Sequence, residues 1–469
     1  MLWDEDRPFG ARQLADLPFA PPGRIERDLT PRSYRLIFYS PARTRGRVKK
    51  LTRSWISGPM VFTGVGFILG PDGLGVLQIN IGGEGLRLLA ELTLAMVLFT
   101  DAANADFGVV RHNLGLPERL LLIGLPLTIV LGYLLAAAVF PSLETLEIAL
   151  LAAMLAPTDA ALGKPVVTNP TVPPAMREAL NLESGLNDGI CVPIVVLLLG
   201  LAVGTQIEGG TIAHVARVVI EAIGLGAVVG LALTWFTTLM LRFAEKRGWI
   251  SEHWVEIPIV ALAAACFAAA QAVGGSGFIA CFVGGLLLSG LRERHKEELL
   301  RGAEHTGEAL ALLTWVLFGG IVVARLIDRV TWPALLYAVL SLTVVRMLPV
   351  FLCLIGTRTS TVDKLFIGWF GPRGLATIVF AVLVLDEKLP GNDTIMLTAG
   401  WTVLLSVIAH GVTANPLVKR MAGRSLAEAE EGARVQGENE ADAAGHSSHP
   451  GIRPDAQRHP RETDRPRLR

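Results

Sequence analysis

Two carboxylates sit where a membrane-crossing chain can least accommodate them. Asp159 follows Pro157-Thr158 in the stretch LAPTDAALG, and Asp188 follows Asn187 in NLESGLNDG. Both stretches belong to apolar runs, and a carboxylate kept at bilayer depth marks a functional site by default. Two of them on consecutive spans outline a path for an ion or a proton.

The second stretch indicates what could bind. Residues four apart share a helix face, so Ser184 and Asp188 form one stripe and Glu183 and Asn187 the next. A hydroxyl above a carboxylate offers oxygen to a hard cation such as Na+, and the chain provides no cluster of soft ligands instead. One carboxylate can hold a proton or a cation but not both. That competition is sufficient for exchange when the site faces the two sides in turn. Ser184 reads equally well as a small residue at a close helix contact.

The first stretch indicates a break. Proline removes a backbone donor and clashes with the preceding turn, so the helix is expected to break near Thr158. Freed backbone groups at that depth are tolerated where they line a polar cavity, and broken helices at the midplane recur as transporter ion sites. The alternative is a proline kink whose second half is capped by Asp159. A similar composition recurs in GWFGPRGLA (368–376), where Arg373 stands between Gly371-Pro372 and Gly374. A guanidinium at this depth needs a carboxylate or carbonyl partner. Glu183 is the expected one; snorkelling of Arg373 to the interface is the alternative.

The rest of the chain must supply the elements that hold these residues. It is 51% hydrophobic and 18% charged, against about 25% charged in soluble domains, which points to an all-α polytopic membrane protein. Spans of roughly 20 apolar residues are read at 55–71, 86–104, 119–140, 145–163, 178–203, 212–241, 254–272, 276–290, 306–325, 332–356, 364–385 and 395–417. Basic residues crowd alternate loops: Arg111 and Arg119; Lys164 and Arg177; Arg242, Lys246 and Arg247; Arg292, Arg294, Lys296 and Arg301; Arg358 and Lys364; Lys419, Arg420 and Arg424. The opposite loops hold only Arg87, Arg325, Arg329 and Lys388. The positive-inside rule then places both termini in the cytoplasm. Residues 1–54 read as a basic, disordered tail without a cleavable signal, and equally as an artefact of an upstream start site. Residues 421–469 read as a disordered cytoplasmic tail. The four cysteines form no CxxC pair and read as apolar packing residues. The net charge of zero argues neither for nor against a nucleic-acid partner; none is expected, and no cofactor.

The interruptions at Thr158-Asp159 and Pro372-Arg373, each followed by a further helix, point to an inverted repeat with the site between its halves; span 212–241 would link them. In order and spacing, APTDAALGKPVVTNP, ESGLNDG, GGSGFIACFVGGL (274–286) and GWFGPRGLA resemble the monovalent cation:proton antiporter family of the NhaP/NHE type across about residues 55–420. The resemblance implies a thirteen-helix inverted-repeat antiporter fold. An interface domain and a six-helix core domain would move by an elevator-like displacement, in a homodimer of a bacterial-type plasma membrane. The implied activity is exchange of Na+, or K+ or Li+, for H+. On this resemblance Asp188 is the ion-binding aspartate, and Ser184, Thr158 and Asp159 lie at or beside the cation. Asn187 of the Asn-Asp motif goes with electroneutral exchange, and Glu183 and Arg373 form a structural ion pair.

Three features depart from the family. Ala160 replaces the usual proline after Thr-Asp, leaving Pro157 to supply the break. The family's first helix is missing before 55–71, which leaves about twelve spans on the length criterion. The acidic ligand of the family's third helix has no certain match: Asp101 in VLFTDAANADF is the better candidate and Glu91 the other, while a helix-end carboxylate is the plainer account of Asp101. Arg217, Glu221, Glu256 and Arg346 are expected to pair with each other or reach the interface, and His410 to be a packed, hydrogen-bonded residue. Two rival classes also use intramembrane carboxylates. An aspartyl protease needs two on neighbouring helices, but its usual Tyr-Asp and Gly-x-Gly-Asp contexts are absent around Asp159 and Asp188. A cation channel or ion-gated receptor would not need paired broken helices.

Overall fold

The computed structural model describes residues 57–77, 84–105, 115–204, 212–249, 256–290, 296–357 and 359–446, all helix or connecting turn with no strand among them. The tail 1–54, the loop residues Arg111, Arg292, Arg294 and Arg358, and the chain after His446 lie outside the described residues.

In chain order the helices are α1 (Gly58–Leu69), α2 (Glu84–Asn104), α3 (Pro117–Val139), α4 (Thr145–Met154), α5 (Ala160–Val167), α6 (Pro174–Gly204), α7 (Ile212–Lys246), α8 (Ile257–Ala272) and α9 (Gly277–Gly290). Then come α10 (Lys296–Leu317, continuing through Phe318–Val323 and Ala324–Asp328), α11 (Trp332–Leu342 and Val344–Cys353), α12 (Thr361–Trp369), α13 (Leu375–Asp386) and α14 (Asn392–His446). Six of them, α3, α6, α7, α10, α11 and α14, are long and apolar enough to cross a bilayer unaided. The expected spans 145–163 and 364–385 are each two half-helices, α4 with α5 and α12 with α13.

Local chemistry sets these boundaries. Glu144 and Glu147 form a capping box at the start of α4. That helix ends at Met154, two residues before Ala156-Pro157, as the residue preceding a proline is disfavoured in helical geometry. Ser360 starts α12 by accepting the Asp363 N–H at 3.2 Å. At the C-terminal end, α14 runs on to His446, where disorder had been expected from residue 421. The stretch SLAEAEEGARVQ is rich in Ala, Glu and Arg, which extend a helix at little cost.

Packing sorts the helices into two groups. One comprises α1, α2 and α7 to α10; the other comprises α3 to α6 and α11 to α14. The first group closes through small residues, as is usual between membrane helices. Gly285 of α9, for instance, lies directly on the Phe99 carbonyl of α2, leaving no room for a Cβ. Ion pairs tie the groups together at their rims. Lys164 of α5 meets Glu308 of α10 at 2.5 Å, Arg87 of α2 pairs with Asp386 of α13, and Arg329 lies 3.6 Å from Asp393. Arg217 and Glu221 pair with each other at 2.8 Å, as expected, whereas Glu256 lies 3.8 Å from Arg301.

Candidate ion-binding site

The two chain interruptions meet. Leu155–Asp159 between α4 and α5, and Phe370–Gly374 between α12 and α13, are both non-helical. The Asp159 N–H donates to the Pro372 carbonyl at 2.8 Å. The Asp159 carboxylate accepts the Leu375 N–H at 2.7 Å across the crossing and the Leu162 N–H at 3.1 Å in its own chain. It thereby caps α13 and α5 together, satisfying amides that the first turn of a helix leaves free, and its charge faces the positive ends of both half-helices. Gly374 is the residue that permits this approach: a Cβ there would overlap the Asp159 carboxylate. The break expected at Thr158 and the capping role considered as its alternative are thus both present.

Arg373 is fully buried and its Nη1 donates to the carbonyls of Ala156 and Pro157, the latter at 2.9 Å. This corrects the expected ion pair, because Glu183 pairs with Arg346 instead. The contact is bidentate, Nη1 to Oε1 at 2.5 Å and Nη2 to Oε2 at 2.8 Å, and both side chains are buried. The reason is electrostatic. The broken end of α4 presents unsatisfied carbonyls carrying partial negative charge, and these serve Arg373 without a carboxylate. Arg346, inside the apolar run SLTVVRMLPV of α11, has no such helix end and takes the acid. The sequence signal was present in Arg346 itself, a second guanidinium at membrane depth.

Beside the crossing, Thr158 Oγ1 lies 3.0 Å from Ser184 Oγ and accepts from Asn187 Nδ2 at 2.7 Å. All three residues are buried, as is Asp188 on the same turn of α6. Two oxygens of this cluster, Asp188 Oδ1 and Asn187 Oδ1, are buried without a hydrogen-bond donor. Oxygens of this kind grouped with hydroxyls are of the type that a hard cation or a proton takes. The structure therefore brings together Thr158, Ser184, Asn187 and Asp188. It places Asp159 beside them with each carboxylate oxygen accepting a backbone N–H. Asp101 of α2 faces them from the other helix group. It is in ordinary contact range of Gly185, one turn before Asp188, and interacts electrostatically with both Asp159 and Asp188. Glu91, the other candidate, is occupied by Arg87 at 2.8 Å.

Two consequences are measurable in detergent by thermal unfolding. Glu183→Ala and Arg346→Ala each leave a buried charge uncompensated, a loss of roughly 3–5 kcal/mol for such pairs. Each should melt well below the wild type, and the double variant should lose less than the two singles summed. Gly374→Ala, which displaces the Asp159 carboxylate from α13, should also melt low. Gly185→Ala, whose added Cβ meets Asp101 only at 3.7 Å, should melt like the wild type.

Residues 36–420 match the family described as sodium/hydrogen exchanger, transmembrane. The K(+)/H(+) antiporter NhaP2 of Shewanella sp. (strain ANA-3) is 24% identical over 355 residues, covering 76% of this chain and 61% of that protein. The K(+)/H(+) antiporter NhaP of Alkalimonas amylolytica is 26% identical over 378 residues, 79% of this chain and 64% of that protein. The Na(+)/H(+) antiporter NhaH of Halobacillus dabanensis is 27% identical over 283 residues, 58% and 67% respectively. The chain thus spans 61% of the length of the NhaP2 relative. Among solved structures, the sodium proton antiporter MjNhaP1 of Methanocaldococcus jannaschii at pH 8 superposes with a TM-score of 0.62 at 23% identity, over 79% of this chain and 95% of that one. With its two broken helices crossing beside a buried aspartate, an all-helical membrane fold shared with MjNhaP1, and a family match over most of its length, the chain belongs to the sodium/hydrogen exchanger family.

Proposed function

We propose that the protein is a secondary transporter exchanging a monovalent cation for H+, with Asp188 holding the cation and the proton in turn. The observation that carries this reading is the pair of buried, donorless oxygens on Asp188 and Asn187 beside the Thr158 and Ser184 hydroxyls. Oxygen from two hydroxyls, an amide and a carboxylate suits a hard monovalent cation. The names of the relatives divide between K+ and Na+, and we take Na+ as the first cation to test. Asp159 has its oxygens engaged by two helix N termini, so of the two carboxylates beside the crossing Asp188 is the one that changes its load in each cycle. That supports one cation per proton and hence electroneutral exchange. Asp101, facing Gly185 from the other helix group, is the proposed additional ligand. The same engagement of Asp159 argues against an aspartyl protease, which needs both carboxylates to share a water. In this reading the protein works as a homodimer in a bacterial plasma membrane, with its Lys- and Arg-rich loops and both tails in the cytoplasm.

The test is proton flux in proteoliposomes under an imposed Na+ or K+ gradient. Wild-type protein should move H+ against the cation in a flux that a clamped membrane potential leaves unchanged. Asp188→Asn should abolish it while preserving the melting temperature; undiminished exchange in that variant refutes the assignment. Thr158→Ala and Ser184→Ala should raise the KM for the cation about tenfold each, on the scale of one lost charge-assisted contact.

A further inference from the structure

We propose that His410, together with Ser406, is a positioning residue for the cation site: the two fix the Phe370–Gly374 interruption and thereby the orientation of Thr158. This rests on reading Thr158 as a cation ligand. His410 is 1% exposed on α14, in the membrane. Its Nε2 lies 2.8 Å from the Trp369 carbonyl. A carbonyl can only accept, so the ring is the donor in any hydrogen bond made there. The ring stacks on Trp369, with centroids 5.2 Å apart, and the Trp369 indole donates to Thr413 of the same helix at 2.9 Å. One end of the interruption is thus fixed to α14.

The other end is fixed one turn away. Ser406 Oγ accepts the Arg373 backbone N–H at 2.7 Å and lies 3.3 Å from His410 Nδ1. Nδ1 also lies 2.9 Å from the Ser406 carbonyl, so the ring spans from the Trp369 carbonyl to the turn of α14 whose Ser406 hydroxyl holds Arg373. From there the chain of contacts reaches Thr158 on both sides. Arg373 Nη1 donates to the Pro157 carbonyl at 2.9 Å, and the Pro372 carbonyl accepts the Asp159 N–H at 2.8 Å. The peptides before and after Thr158 are therefore held by residues whose own backbone is clipped to α14 at Trp369 and Arg373. Thr158 Oγ1 has little freedom left except to face Ser184 and Asn187.

This arrangement predicts a particular kinetic signature. Thr158 would give oxygen to the cation and has no part in holding the proton on Asp188. In the gradient assay on full-length protein, His410→Leu should raise the cation KM about tenfold, as for loss of one hydrogen bond, with maximal flux per folded transporter within about twofold of wild type. His410→Gln, which places an amide N–H near the position of Nε2, should restore KM, and Ser406→Ala should raise it in the same direction as His410→Leu. Adding His410→Leu to Thr158→Ala should raise KM no further, because both act through the same oxygen. A purely structural histidine predicts the opposite: less folded protein, reduced maximal flux, an unchanged KM and additivity with Thr158→Ala. Either an unchanged KM in both His410→Leu and Ser406→Ala, or additivity with Thr158→Ala, overturns the inference while leaving cation exchange standing. A wild-type protein without cation-driven proton flux overturns the exchange reading and this inference with it.

Discussion

Everything near the site depends on satisfying backbone polar groups at a depth where water is not available to do it. Breaking a helix in the membrane frees several amides and carbonyls, each costly if left unpaired. The protein breaks two helices at one point and lets each break satisfy the other. Asp159 takes the amides of α5 and α13, Pro372 takes the Asp159 amide, and Arg373 takes the carbonyls at the end of α4. An acid serves the two positive helix ends and a base serves the negative one. The crossing is therefore close to neutral within itself, and this leaves Asp188 as a carboxylate that the crossing does not consume.

The same division explains how two buried arginines coexist in one helix group. Arg346 is held by Glu183 and Arg373 by carbonyls, so neither draws on Asp188. Had Arg373 taken Glu183, as its surroundings in the sequence suggested, Arg346 would have been left in an apolar helix with no acid. It would then have competed for Asp188. Arg373 donates through Nη1 and Arg346 through both terminal nitrogens, and neither uses Asp188.

How much of this was legible in the sequence follows from the range of each interaction. The break at Pro157-Thr158 and the stripe of Ser184 and Asp188 are consequences of neighbours within a turn or two, and both could be read directly. The meeting of 155–159 with 370–374 could be anticipated only as a pairing of similar compositions, since nothing in either segment specifies the other. Partner choice among buried charges was not legible. Glu183 lies 163 residues from Arg346, and the carbonyls that satisfy Arg373 are backbone atoms with no residue type to reveal them.

The two helix groups differ in how firmly their polar contacts are made, and that difference bears on movement. Within the group carrying Asp188, the crossing and the Glu183–Arg346 pair are buried, and opening either would expose charge or backbone to lipid. Between the groups, Lys164–Glu308, Arg87–Asp386 and Arg329–Asp393 have side chains exposed by 44–84%, and pairs of that kind contribute about 0–1 kcal/mol each. Sliding one group past the other would break these weak pairs together with the apolar contacts that α2 makes with α6 and α13. Deforming the site would break the strong ones. The polar contacts that hold the crossing are therefore firmer than those that join the two groups.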